Sequence, residues 1–141
     1  MRILIINGPN LNLLGTREPE LYGNQSFEAF LANLKIDGAQ IDYYQSNIEG
    51  ELITAIQESR LHHDGVVLNA AAYSHTSVGI ADAVTAIDIP VVEVHISNIY
   101  RRENFRHFTY LASRCVGTIA GLGLKGYELA IDFLVANFPK A

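Results

Sequence analysis

Five short apolar runs alternate along this chain with longer segments of helical period, and that alternation restricts the fold more than any other feature. The runs are "ILII" at 3–6, "QIDYYQS" at 40–46, "GVVLNAA" at 65–71, "PVVEVHIS" at 90–97 and "CVGTIAG" at 115–121. The first and third carry no polar face, which suits strands buried on both sides of a parallel sheet. Between the first and second runs, Ser26 can cap a helix in which Phe27, Phe30, Leu31 and Leu34 form one stripe, ended by Gly38. "EGELITAIQESRLHH" reads as a second helix with Leu52, Ile53 and Ile56 inward. "HTSVGIADAVTAI" reads as a third, stopped before Pro90, and "GYELAIDFLVANF" as a fourth.

Strands alternating with helices imply a parallel sheet covered on both faces. Right-handed crossovers leave few topologies. The expectation is a single α/β domain over residues 1–141, a flavodoxin-like three-layer fold with a five-stranded parallel sheet ordered 2-1-3-4-5. With 141 residues, 49% of them hydrophobic, the chain can bury a proper core. A net charge of −5 argues against a nucleic-acid partner. No apolar run approaches the ~20 residues of a membrane span, and "MRILIING" is too short for a secretory leader. The lone Cys115 excludes an internal disulfide framework and reads as a small core hydrophobe. A cytoplasmic location is expected.

In such sheets ligands bind beyond the carboxyl ends of the strands, so the segments after each run carry the chemistry. "GLGLKG" at 121–126 matches a dinucleotide motif, but no second strand with an acid ~20 residues on can follow before Ala141. It reads as a tight strand-to-helix turn. "GPNLNLLG" after the first run has no Ser or Thr for a flavin phosphate. Asn7, Asn10 and Asn69 stand where a phospho-receiver needs acids. His62 and His63 read as a solvated helix end, with no metal-ligand spacing to a further group. No cofactor and no metal are expected.

His95 closes the fourth strand at the ligand edge, where an imidazole can act as acid or base. Glu93 lies two residues earlier on the same strand face and can orient it. "ISN" follows, with backbone amides at Ile96 and Ser97. Arg101, Arg102 and Arg106 then bring cations suited to an anionic ligand, Arg102 and Arg106 sharing a face if that stretch is helical. Asn69 ends the third strand. His75 and Asp82 fall on one face of the next helix but two turns apart, so the two cannot easily grip one atom in the same chain. The connection after the first strand runs to about seventeen residues, against a usual few, and holds Arg17 and Tyr22. A tyrosine base near neutral pH needs a downward shift of roughly two to three units, about 3–4 kcal/mol, which a close arginine can supply. The stretch "LLGTREPELYG" therefore reads as a lid hinged at Gly15 and Gly23, with Tyr22 as a mere loop anchor the plainer alternative.

Taken together, "INGPNLNLLGTREPELYG", "YYQSNIEGELI", "LNAAAYSHTSVGIADA", "VVEVHISNIYRRENFRHF" and "GLGLKGYELA" resemble the type II 3-dehydroquinate dehydratases, in order over nearly the whole chain. The resemblance implies a cofactor-free and metal-free hydro-lyase that converts 3-dehydroquinate to 3-dehydroshikimate by anti elimination through an enolate. It implies Tyr22 as the base, Arg17 as its activator, Asn10 as placing a water or the enolate oxygen, His95 as the acid and Glu93 as its partner. Asn69, His75, Ile96, Ser97 and Arg106 are implied to hold the substrate, with Arg102 in support and Asp82 reaching an adjacent subunit. The implied assembly is a homo-dodecamer, a tetramer of trimers. The residues themselves agree on three points: of the three lysines, Lys35 and Lys140 fall on a helix and the tail, a poor basis for Schiff-base chemistry; Arg and Asn give donors for an enolate; and the arginines and amides after the fourth strand suit a carboxylate. The rival reading is a catalytically idle flavodoxin-like module for a small carboxylate.

Overall fold

A computed structural model describes residues 1–16, 20 and 24–139. Its strands are β1 (Arg2–Asn7), β2 (Gln40–Gln45), β3 (Gly65–Asn69), β4 (Val91–His95) and β5 (Gly117–Ala120). All neighbours pair in parallel, in the order β2-β1-β3-β4-β5 expected from the sequence. The helices among the described residues are α1 (Phe27–Asn33), α2 (Glu49–His62), α3 (Val78–Ala86) and α4 (Lys125–Asn137). None is long and apolar enough to cross a membrane.

Residues of alternating parity on the central strands feed two separate cores. On one face Ile3, Ile5, Val67, Val92 and Val94 pack with Phe27 and Phe30 of α1 and Tyr127, Ile131 and Leu134 of α4. On the other, Leu4, Ile6, Val66 and Leu68 pack with Leu52 and Ile56 of α2 and Ile80 and Val84 of α3. This is why β1 and β3 read as unbroken apolar runs.

Four local expectations change. Helix α1 ends at Asn33, short of Gly38, because Leu34 is already extended and its N–H bonds back to Leu31. Helix α3 begins only at Val78, since the Ser77 hydroxyl accepts the Ile80 N–H at 2.9 Å and caps it there. His75 therefore sits in a preceding 3₁₀ turn (Ala71–His75), and it does not share a helical face with Asp82. The segment after β4 makes two single 3₁₀ turns, Ile99–Arg101 and Asn104–Arg106, with Arg102 extended between them, so no helix spaces Arg102 and Arg106. His63 is also not a solvated helix end. Its Nε2 lies 2.8 Å from the Asp42 carboxylate and its side chain is mostly buried.

A polar tie locks the ends of the two central strands. Asn7 and Asn69 are register partners. The Tyr127 hydroxyl, fully buried, donates to Asn7 Oδ1 at 2.7 Å and accepts from Asn69 Nδ2 at 2.8 Å. Burial pushes that hydroxyl's pKa upward, so it stays a neutral donor. Tyr127→Phe strands two buried amide groups and is expected to cost about 1–3 kcal/mol. A urea unfolding curve with an unchanged midpoint would refute the role of this tie.

Candidate active site

The carboxyl ends of β1, β3 and β4 open onto one small polar cleft. Asn10, Asn69, His75, His95, Ile96, Ser97, Arg102 and Arg106 all line it, so eight of the residues expected from the sequence are brought together. A larger cavity of about 700 Å³ lies elsewhere, between β2 and α2. It is mainly apolar and away from these strand ends, so size does not mark the chemical site.

Each side chain is placed by its strand end. Asn10 has a left-handed backbone, φ 71°, which asparagine tolerates better than most residues. Its N–H donates to Asn47 Oδ1 at 2.9 Å, which fixes the start of the long connection against the end of β2. Asn69 uses Oδ1 to accept the Ala71 N–H at 3.0 Å and Nδ2 to reach Tyr127, so its amide has one orientation. The turn "GLGLKG" serves as a tether. Gly121 and Gly123 donate to the carbonyls of His95 and Ile96 at 3.2 and 3.0 Å. Gly121 has φ 87°, and a Cβ there would meet the Asn98 side chain at 2.9 Å. Glycine is thus required for the turn to approach the post-β4 segment.

His95 Nε2 lies 2.8 Å from Glu93 Oε2; Glu93 is fully buried directly behind the ring. The His75 ring is roughly parallel to that of His95, with centroids 5.9 Å apart. His75 Nδ1 lies 2.8 Å from the Phe108 carbonyl, which can only accept, so Nδ1 carries the proton. Burial, opposed by that hydrogen bond and helped by nearby His95 and Arg106, lowers the His75 pKa below its ordinary 6.5. Its neutral ring is therefore favoured on folding, a contribution present above pH 6.5 and lost as pH falls through the lower folded value. An NMR titration of His75 is expected to have its midpoint below 6.5; a midpoint above that value would contradict this environment.

Arg106 pairs with Glu103 at 3.0 Å across a single turn, which holds its guanidinium at the rim of the cleft. Asp82 lies outside the cleft of its own chain. Its side chain is 67% exposed on α3 and faces Arg114 at 3.6 Å. Arg17, Tyr22 and Gly23 fall outside the described residues. The base of the long connection is described: Gly15, φ 93°, sits so close to residues 24–26 that a Cβ would meet Asn24 O and Ser26 N at 3.0 Å. The connection thus leaves and returns at one point. Burial pushes the Cys115 thiol up to about 12, so it is no nucleophile near neutral pH. Among the described residues, no three His, Cys, Asp or Glu side chains gather as metal ligands.

Sequence reasoning missed two members of this arrangement, Thr109 and Thr118. Both hydroxyls reach Glu93 Oε1, at 3.2 and 3.0 Å. No spacing signals them, because one sits in a loop and the other on the outer strand β5.

Comparison with known proteins places these features in a family. The model of the family described as "Dehydroquinase class II" matches residues 1–135. A 3-dehydroquinate dehydratase of Streptomyces avermitilis is 54% identical over 139 residues, covering 95% of this chain and 87% of that protein. One from an Exiguobacterium species is 50% identical over 141 residues, covering 98% and 97%. The crystal structure of a type II dehydroquinase from Butyrivibrio crossotus superposes with a TM-score of 0.90 at 48% identity, covering 95% of this chain and 97% of that one. The shared sheet order, the near-complete coverage and the level of identity lead to one conclusion: this chain belongs to the class II dehydroquinase family.

Proposed function

We propose that this chain is a 3-dehydroquinate dehydratase, a hydro-lyase that removes water from 3-dehydroquinate to give 3-dehydroshikimate through an enolate. The observation that carries the reading is the pairing of His95 with a buried Glu93 at the floor of a cleft rimmed by Arg102 and Arg106. A mere carboxylate binder has use for the arginines but none for a buried acid–imidazole pair.

In this reading the Tyr22 phenolate, held as an anion by Arg17, takes the proton from the carbon beside the ketone. The electron pair moves to the ketone oxygen, where Asn10 stabilises the enolate by placing either a water or the enolate oxygen itself. The pair then returns, the carbon–oxygen bond to the tertiary hydroxyl breaks, and protonated His95 gives its proton to the departing oxygen. Water and a conjugated enone result. Arg106, His75, Asn69 and the Ile96 and Ser97 amides hold the carboxylate and hydroxyls, and Arg102 supports the rim. The full chain, residues 1–141, acts as one catalytic domain in the cytoplasm.

The assembly in this reading is a dodecamer of four trimers, with Asp82 completing a neighbour's cleft. Support comes from the exposure of Asp82 outside its own cleft, and from the large exposed aromatics Tyr100, Phe105 and Phe108 beside the site. The mass of the protein in solution tests the assembly. The activity is tested by ultraviolet absorbance: 3-dehydroquinate with purified protein is expected to develop the enone band. No signal between about pH 6 and 9 would remove the enzymatic reading.

A further inference from the structure

The hydrogen bond between His95 and Glu93 holds a single proton, and its position decides what His95 can do. If the proton sits on Nε2, Glu93 is an anion and the other ring nitrogen, Nδ1, is left to exchange protons with the cleft. If it sits on Oε2, the carboxyl is neutral, Nε2 is an acceptor, and the neutral ring must carry its one N–H on Nδ1 with no counter-charge behind it. Glu93 is fully buried, and a buried carboxylate needs donors on its oxygens or it reverts to the neutral acid.

Two hydroxyls act against that tendency. Thr109 Oγ1 accepts the Ala112 N–H at 2.9 Å, and its own hydrogen is then aimed at Glu93 Oε1, 3.2 Å away. Thr118 Oγ1, from β5, lies 3.0 Å from the same oxygen. Thr118 enters through strand register, since it is the direct partner of Glu93 across β4 and β5. Thr109 enters from the loop that follows the arginines. Two donors on Oε1, with the ring on Oε2, are what an anionic carboxylate accepts.

The geometry points to Thr109 and Thr118 as positioning residues for His95: their hydroxyls hold Glu93 as an anion, keep the shared proton on His95 Nε2 and so leave Nδ1 as the working nitrogen. The consequence for turnover rests on the reading of His95 as the acid; the placement of the proton does not. Neither threonine lines the cleft.

Both statements are tested with Thr109→Val, Thr118→Val, the double valine variant and the matching serine variants. The first readout is nitrogen-15 NMR of labelled histidine, with Nε2–H of His95 expected in the parent protein. In the double valine variant a shift of the proton toward Glu93 or a mixture of ring tautomers is expected. The second is steady-state kinetics with 3-dehydroquinate. kcat is expected to fall roughly ten- to a hundredfold with KM changed less than about twofold, and serine is expected to restore most of the rate.

Unchanged ring nitrogens in the double variant overturn the proposal, as does a rate loss that serine fails to restore. If the double variant does not fold, Thr118→Val, on the outer strand, is read by the same criteria. A parent protein with the Nε2–H ring but no turnover instead removes the enzymatic reading and leaves the placement of the proton standing.

Discussion

Tyr22→Phe is expected to reduce kcat by about two to four orders of magnitude, the range that a positioned general base supplies, while a substrate-like carboxylate still binds. The reasoning starts from chemistry. Proton abstraction beside a ketone needs a base of suitable strength near neutral pH. Free tyrosine, with a pKa of ~10, supplies little phenolate there. Arginine stays cationic under all ordinary conditions, and in the proposed reading Arg17 favours the phenolate. Phenylalanine keeps the ring but has no hydroxyl to accept the proton that this reading assigns to Tyr22. Arg106, Asn69 and His75, proposed to hold the carboxylate and hydroxyls, line the cleft and are untouched by this substitution, so affinity is expected to survive. Stopped-assay rates paired with calorimetric binding of a carboxylate analogue separate the two effects. A variant with near-parent rates would show that Tyr22 is only a loop anchor.

Glu93→Gln is expected to be nearly as damaging, with kcat lowered about three to four orders of magnitude and the fold retained. Glutamine preserves shape. Its carbonyl oxygen can still accept from Thr109 and Thr118, which both donate to Oε1. That orientation aims the amide N–H₂ at His95 Nε2, 2.8 Å away in the parent geometry. Nε2 must then be the acceptor, which moves the ring proton to Nδ1 and opposes formation of the imidazolium. The comparable substitution behind the histidine of a serine protease costs about 10⁴ in kcat through the same change of tautomer. Glutamine is neutral, so thermal stability should hold or rise, since a buried charge is removed. Parent-like turnover in Glu93→Gln would exclude the acid–imidazole pair from the mechanism.

The positions of the cleft residues were legible because parallel α/β sheets gather ligand chemistry at one edge. Once β1, β3 and β4 were read from their apolar runs, Asn10, Asn69, His95 and the arginines had to lie near one another. The helix bounds were less legible. Ser77 captures the Ile80 N–H and starts α3 three residues later than the apolar period allows, which separates His75 from the helix carrying Asp82. The arginine segment kept helical spacing in the sequence, yet Asn98 caps one turn through the Tyr100 N–H and the chain extends again at Arg102. Both cases turn on a side chain competing for one backbone N–H, an interaction of a few tenths to about 2 kcal/mol that hydrophobic period does not register.

What the amino-acid order settled alone was the sheet order, the two-sided burial of β1 and β3, and the edge at which chemistry collects. These follow from the period of apolar residues and from the handedness of crossovers, both of which are local or universal rules. What only the tertiary structure decided was which polar groups share a proton or a hydrogen bond. Thr118 meets Glu93 across 25 residues of chain, Tyr127 meets Asn69 across 58 and Asn7 across 120, and His63 meets Asp42 across 21. Such contacts depend on strand register and on side-chain direction to within a fraction of an ångström. No one-dimensional pattern carries that information, so the residues of the cleft and Glu93 could be named from the sequence, while Thr109, Thr118 and Tyr127, which fix them in place, could not.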